Sequence, residues 1–290
     1  ELMVPRSDMS KPALFITNDD GIEAPGIQEL IRQLNIEGFP LFVLAPSTEQ
    51  SATGMRISVR KKLKVKNRQD IADKLQSDEK IPLKMYSLDG SPCDCVIAAL
   101  DGGIGMLEPD LMPTMCISGV NQGPNISVDI MHSGTVSAAR ESALYGLPSI
   151  AVSLATYEHS NFEYSVKGAI KIMQSCLDFL SKVPSDFLRK NGSKSVVELN
   201  PNLESIRNNF ALGNFFLNLN APVKWNGDYN TVSLGSRWYR NAIKSHDLDD
   251  GSMAFEVGAA EIVEEEIPGT DCFSVNSAEY AISPISSWPV

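Results

Sequence analysis

Cysteine is scarce in this chain, five among 290 residues, and odd in number. No basic start followed by an apolar centre precedes the first apolar run. That usage excludes a disulfide scaffold and predicts a reduced, cytoplasmic protein. Long hydrophobic runs are also missing. None approaches the roughly 18 residues that a bilayer span requires, so no membrane association is expected. Positive charge is in short supply, with 25 Lys+Arg against 36 Asp+Glu and a net charge of -11. That balance opposes a surface built for a nucleic-acid polymer. Neither a repeat nor a low-complexity tract is present, and Gly (20) and Pro (17) stay at ordinary levels, which excludes a collagen-like, disordered or coiled-coil chain as a whole.

What is present reads as an α/β chain long enough to bury about 75% of its extended surface. Glu1 to Asp8 look like a protease-site remnant, through Val4-Pro5-Arg6-Ser7, and 1–12 are set aside as a lead segment. Ala13 to Thr17 is a short apolar run emptying into Asn18-Asp19-Asp20-Gly21, a buried strand followed by a turn. Pro25 opens a helix with Ile27, Leu30, Ile31 and Leu34 at helical spacing, and Leu41 to Ala45 is a second buried strand ended by Pro46. This βαβ pattern implies parallel strands.

Ile57, Val59, Leu63 and Val65 alternate with polar residues and predict a half-exposed strand over 56–66. Six of the nine residues from Arg60 to Arg68 are basic, which in an acidic protein reads as a solvated face. Ser91-Pro92 starts a helix that places Cys93 in the core; without a second cysteine pair, Cys93-Asp94-Cys95 is a poor zinc site. Thr114 to Ser118 predicts a third core strand, feeding a loop from Gly119 to Asn125. Ser133-Gly134-Thr135 opens a small-residue helix, Pro148 to Leu154 is a fourth strand, and Val166 to Leu180 an amphipathic helix. The pattern then changes. The expected division is a catalytic core over 13–185 and an irregular, strand-rich extension over 186–290, with strands at Phe215–Leu219, Thr231–Leu234 and Ala281–Pro284.

In an open parallel sheet, ligands bind beyond the carboxyl ends of the strands. Three polar loops follow predicted core strands here: 18–21, 46–49 and 118–125. Two carboxylates brought together repel unless a proton or cation lies between them. Asp19 and Asp20 with the Ser47 hydroxyl and the Asn121 amide oxygen make an all-oxygen set suited to Mg²⁺ or Mn²⁺. From spacing alone, a second reading stands beside it, in which the two aspartates cap the following helix. Gly119, Gly123 and Gly134, with Ser133 and Thr135 at a helix start, supply backbone donors for an anion. Turn glycines and an N-cap serine would explain each of these separately.

Several motifs together resemble the SurE (survival protein E) nucleotidase family. They are Ile16-Thr17-Asn18-Asp19-Asp20-Gly21 with Pro25-Gly26-Ile27, Ala45-Pro46-Ser47, and Glu49 to Gly54. Further on come Gly90-Ser91-Pro92-Cys93-Asp94-Cys95-Val96, Ser118 to Asn125, and His132 to Ala139. The likeness is dense over 13–156 and thinner at Leu217 to Pro222, Thr270-Asp271 and Tyr280 to Pro284. It implies a Rossmann-like, mostly parallel sheet flanked by helices. It also implies a homodimer or homotetramer that exchanges its C-terminal part. The activity implied is divalent-metal-dependent hydrolysis of nucleoside 5′- and 3′-monophosphates, with short polyphosphate as a further substrate. Asp19, Asp20, Ser47 and Asn121 fall on the family's metal ligands, one ion per subunit. Asp19, Asp20 and Asn121 are then the catalytic set, and Asn18, Gly119, Asn125, Ser133, Gly134 and Thr135 bind phosphate. The charged segment Asn67 to Lys80 departs from a compact member.

Two rivals remain. A dinucleotide oxidoreductase or P-loop triphosphatase lacks its glycine signature, since the first strand ends in Asn-Asp-Asp-Gly. A non-catalytic nucleotide-binding or interaction module would bind without turnover. His132, beside the anion loop, reads as a packing neighbour in preference to a general acid.

Overall fold

Ala13–Thr17 form β1, buried along its whole length. Pro25–Ile36 form α1 and Leu41–Pro46 β2. These coordinates are a computed structural model that describes residues 11–158, 161–181, 202–258 and 261–288. Val65–Asn67 (β3), Gln69–Leu75 (α2), Leu83–Leu88 (β4), Pro92–Ala98 (α3) and Ile104–Leu107 (α4) follow. Pro113–Gln122 is β5, Gly134–Leu144 α5, Ser149–Leu154 β6 and Glu163–Leu177 α6. Leu203–Ala211 (α7), Phe215–Ala221 (β7), Tyr229–Thr231 (β8), Arg237–Arg240 (β9), Ile243–Asp247 (β10), Met253–Val257 (β11) and Glu261–Glu264 (β12) lead to Asp271–Asn276 (α8) and Tyr280–Ser286 (β13).

Nine strands form one sheet in the order β3-β4-β2-β1-β5-β6-β7-β13-β8. All neighbours are parallel except β3 on β4 and β13 on β7. Alternate residues of β1 feed two cores, as the period of a strand requires. Leu14 and Ile16 pack with Leu30 and Leu34 of α1 and Met173 of α6. Phe15 packs with Phe42, Val96 of α3 and Ala138 of α5 on the other face. Helices on both faces explain why the central strands are apolar throughout. Burying Ile27, Leu30, Ile31 and Leu34 contributes about 1.5–3 kcal/mol each, so packing rather than intrinsic propensity holds α1 in place. Among the described residues no helix is long and apolar enough to cross a membrane.

The α/β expectation holds, and four details change. The alternation over 56–66 yields a strand only at Val65–Asn67; Met55 to Lys62 run as an exposed loop with Arg60 at φ 60°. The charged stretch after it is a helix, with Ile71, Ala72 and Leu75 buried and Arg68 paired to Glu23 and Asp70. The third core strand does not stop at Ser118 but continues to Gln122, with a register shift between Ser118 and Asn121. The strand expected at Thr231–Leu234 ends at Thr231, and Ser233 makes an isolated bridge to Thr270.

The composition change near 185 is also not an edge of the sheet. β7, β13 and β8 extend it beyond β6, so among the described residues it is β9 to β12 that stand apart, as two short antiparallel pairs. The boundary residue itself, and the lead residues 1–10, lie outside the described residues.

Candidate active site

Chain order reverses at β1: β2 lies on one side and β5 on the other, which places a crevice beyond their carboxyl ends. The loops there are stitched together. Ile22 N–H donates to the Pro46 carbonyl (2.9 Å) and Gln50 N–H to the Asp19 carbonyl (2.7 Å). Gly21, at φ 96°, turns the chain where a side chain would meet the Thr48 backbone at 3.1 Å.

Asp19 is buried at the start of α5. The Thr135 hydroxyl donates to its Oδ1, and the backbone N–H groups of Gly134 and Thr135 also face its carboxylate. Burial nevertheless raises its pKa above the usual carboxylate range, because desolvation of the charge outweighs these donors. Gly134 permits this approach: a Cβ there would fall 2.7 Å from the Asp19 Cβ and 3.0 Å from Pro92 Cγ. Asp20 is pushed up to about 7, first by burial and then by the neighbouring charge of Asp19, while Gln122 N–H donates to its Oδ2 at 3.2 Å. The Asn121 Nδ2 donates to the Gly123 carbonyl (2.8 Å), which leaves Oδ1 as its available oxygen. Asn18 Nδ2 donates to the Gly21 carbonyl (2.9 Å), and its buried Oδ1 has no partner among the described residues.

Two carboxylates with raised pKa values beside an orphaned amide oxygen form a donor set short of positive charge, and its chemistry fits a hard divalent ion. Among the described residues no three His, Cys, Asp or Glu side chains gather as a metal cluster, so such a site would depend on neutral oxygens as well.

A cleft of about 540 Å³ opens here, lined in part by Asp19, Asn121, Asn125, Ser133, His132 and Tyr157. His132 is exposed on it, and its carbonyl accepts from Gly54 N–H at 2.8 Å. Ser133 caps α5, its hydroxyl accepting from Val136 N–H at 3.0 Å. Asn125 is wired into the sheet: its Nδ2 donates to Ser153 Oγ, its N–H to Asn220 Oδ1, and its carbonyl accepts from Asn218 and Asn220.

Two expected roles shift. Gly119 does not line the cleft; a Cβ there would lie 2.3 Å from the Val152 carbonyl oxygen, so this glycine serves the close packing of β5 on β6. The first donors of α5, read as anion ligands at Gly134 and Thr135, meet Asp19. Ser47 follows β2 and is exposed, with its N–H on the Leu88 carbonyl. Asp19 and Asp20 follow β1, Asn121 lies near the end of the neighbouring β5, and Ser47 follows β2 on the other side; Asp19 and Asn121 line one cleft, while Asp20 meets Gln122 N–H.

Sequence reasoning missed Asn218 and Asn220, whose signal was two asparagines at alternate positions of an apolar strand. It also missed Asp129, Arg237 and Tyr239. Arg237 Nη1 pairs with Asp129 Oδ2 at 2.8 Å and the Tyr239 hydroxyl donates to Asp129 Oδ1 at 2.5 Å, which ties β9 to the core beside the cleft.

Residues 14–245 match the family model described as Survival protein SurE. A "5′-nucleotidase SurE" of Natranaerobius thermophilus is 31% identical over 277 residues, 94% of this chain and 92% of that protein. One from Synechococcus elongatus is 37% identical over 161 residues, covering 56% of this chain and 58% of its own length. Among solved structures, the SurE protein from Aquifex aeolicus superposes with a TM-score of 0.68 at 25% identity, covering 96% of this chain and 95% of its own.

Proposed function

The chain belongs to the SurE family, and from that premise we propose that it is a divalent-metal-dependent nucleotidase. Its substrates would be nucleoside 5′- and 3′-monophosphates, with short polyphosphate as a further one. The observation that carries this is the pairing of Asp19 and Asp20 at the strand switch, both raised in pKa, beside the cleft that Asn121 and Ser133 line.

One Mg²⁺ or Mn²⁺ on Asp19, Asp20, Asn121 and Ser47 would supply Lewis acidity toward a phosphoryl oxygen and a water of lowered pKa. The chain's own residues bind and orient. Thr135 and the start of α5 hold the Asp19 carboxylate in one orientation. Gln122 N–H does the same for Asp20. Asn18, Asn125 and Ser133 present polar groups on the phosphate side, where positioned donors stabilise charge on transferring oxygens. Asn125 is held by β6 and β7, so its place does not depend on a loop alone.

Purified protein with Mn²⁺ or Mg²⁺ should release phosphate from nucleoside monophosphates and lose activity in chelator, in Asp19→Asn and in Asp20→Asn. A folded double variant that stays active would remove the metal role, and binding without phosphate release would favour a non-catalytic module. Ser47→Ala should weaken metal affinity more than stability, since the residue is exposed and contributes little to the core.

Cytoplasmic location is proposed on the five cysteines, all free and buried. A homodimer or homotetramer is proposed on β10 and β11, which expose Ile243, Met253, Phe255 and Val257.

A further inference from the structure

The lining of the cleft falls into two unlike groups. Asp19, Asn121 and Ser133 come from the strand ends and the start of α5; Tyr239 and Val257 come from the strands that stand apart from the sheet, and Ala242 from the turn between β9 and β10. Tyr157 belongs to neither element set. It follows β6, and the Cε1 side of its ring packs against Gly123. A Cβ at Gly123 would fall 2.3 Å from the ring Cε1 and 2.9 Å from Cδ1 and Cζ, so only glycine lets the ring settle there. The backbone is fixed as well, since Gln122 Nε2 donates to the Tyr157 carbonyl at 3.2 Å.

So placed, Tyr157 is still 63% exposed as a residue. Its hydroxyl makes no hydrogen bond among the described residues, unlike that of Tyr239, which is committed to Asp129. Tyr157 also lines a second hollow of about 320 Å³ that contains Asp20, so it forms the ridge between the two carboxylates' spaces. An aromatic side chain that packs against a glycine, stays largely exposed and lines the cleft together with Asp19, Asn121 and Gln122 offers a π-system beside the polar cluster.

We propose that Tyr157 is the platform on which the substrate's nucleobase stacks, making it the residue that separates nucleotides from base-free sugar phosphates. This rests on the nucleotidase reading for what occupies the polar part of the cleft. Stacking tolerates every base, because each has a π-face, so the platform selects for a base without choosing among bases. Binding energy gained there, remote from the phosphorus, helps hold the ester in place for reaction.

The test compares adenosine 5′-monophosphate with ribose 5-phosphate, in Mg²⁺, by calorimetric binding and by steady-state kinetics, for the wild type, Tyr157→Ala and Tyr157→Phe. Tyr157→Ala should weaken adenosine monophosphate binding about tenfold or more and raise its KM in step. Ribose 5-phosphate should be unaffected, and Tyr157→Phe should stay close to the wild type, since the ring and not the hydroxyl does the work. Equal loss on both ligands, no loss on either, or a wild type that binds both equally would overturn the platform. Nucleotide binding that depends on Tyr157 without phosphate release would keep the platform and remove the nucleotidase reading. Hydrolysis of both esters with an unchanged KM in Tyr157→Ala would do the reverse.

Discussion

The Thr135 hydroxyl, one residue into α5, donates to Oδ1 of Asp19, the second residue beyond β1, across 116 positions of sequence. Both side chains are buried. The bond fixes which oxygen of Asp19 turns toward the helix and which remains for a ligand. It also ties the end of the central strand to the helix that packs between α3 and β6.

Replacing Thr135 by Val keeps the volume and removes the hydroxyl. The Asp19 carboxylate then loses a charge-assisted partner inside the protein, which costs about 1.5–3 kcal/mol. Urea unfolding at pH 7 should show that loss, and Thr135→Ser should recover most of it. Since the bond favours the charged form of Asp19, the difference should narrow as the pH falls. A Val variant as stable as the wild type at pH 7 would mean that the bond is energetically idle.

Asp20 gives the metal-free protein a pH dependence of definite sign. Its pKa is about 7 in the fold against 3.8 for an ordinary aspartate. Between those values the native chain holds a proton that the unfolded chain releases, so the stability this carboxyl contributes is fully present below about pH 4 and is lost as the pH rises toward about 7. For this carboxyl alone the loss is at most about 4 kcal/mol. A bound divalent ion would take the place of the proton, so the rise in Tm on adding millimolar Mg²⁺ should be large at pH 8 and small at pH 5. An equal rise at both values would separate metal binding from Asp20.

The central half of this architecture could be read residue by residue. Ala13 to Thr17 and Leu41 to Pro46 are apolar because helices cover both faces, and Ser91 caps the helix that the Ser-Pro start predicted, with Asp94 completing a capping box. The 56–66 alternation misled because period-2 patterning reports a strand only when one face is buried, and Ile57 and Val59 are 50% and 67% exposed. The place of β7 between β6 and β13 depends on pairing across distant sequence, and so does the role of Asn218 and Asn220. Gly119 and Gly134 illustrate the same limit at the site. Both were visible as glycines, but whether the missing side chain makes room for a ligand, a strand or a carboxylate is a tertiary fact.

Gly134 is the sharper of these two cases, because its backbone is ordinary helix and the constraint is purely one of space. Gly134→Ala would place a methyl 2.7 Å from Asp19 Cβ and 2.9 Å from its Oδ2. Neither neighbour is a flexible tip, so strain of about 1–3 kcal/mol should appear, less the gain in helix propensity. Asp19 must move to relieve it. Metal affinity, followed by isothermal titration with Mn²⁺, should therefore fall further than stability does. Unaltered affinity would show that the Asp19 position is not set by α5.

Arg237 ties the outlying strands to the cleft. It is 5% exposed, with Nη1 2.8 Å from Asp129 Oδ2 and Nε 3.1 Å from Oε1 of Glu264, its cross-strand neighbour. Burial already raises the pKa of Asp129, so removing the guanidinium leaves that carboxylate facing Glu264 with no cation between them. Arg237→Met keeps the stem and deletes the charge, and breaking a buried pair in this way costs about 3–5 kcal/mol. The strain is concentrated on β9 and β12, so limited proteolysis should cut between 237 and 258 sooner than in the wild type. Because Tyr239 and Val257 line the cleft, KM for a nucleoside monophosphate should rise more than kcat falls. Adding Asp129→Asn to the Met variant should restore part of the protection, since it removes the unpaired charge. Strictly additive effects of the two substitutions would show that the pair does not hold the strands in place.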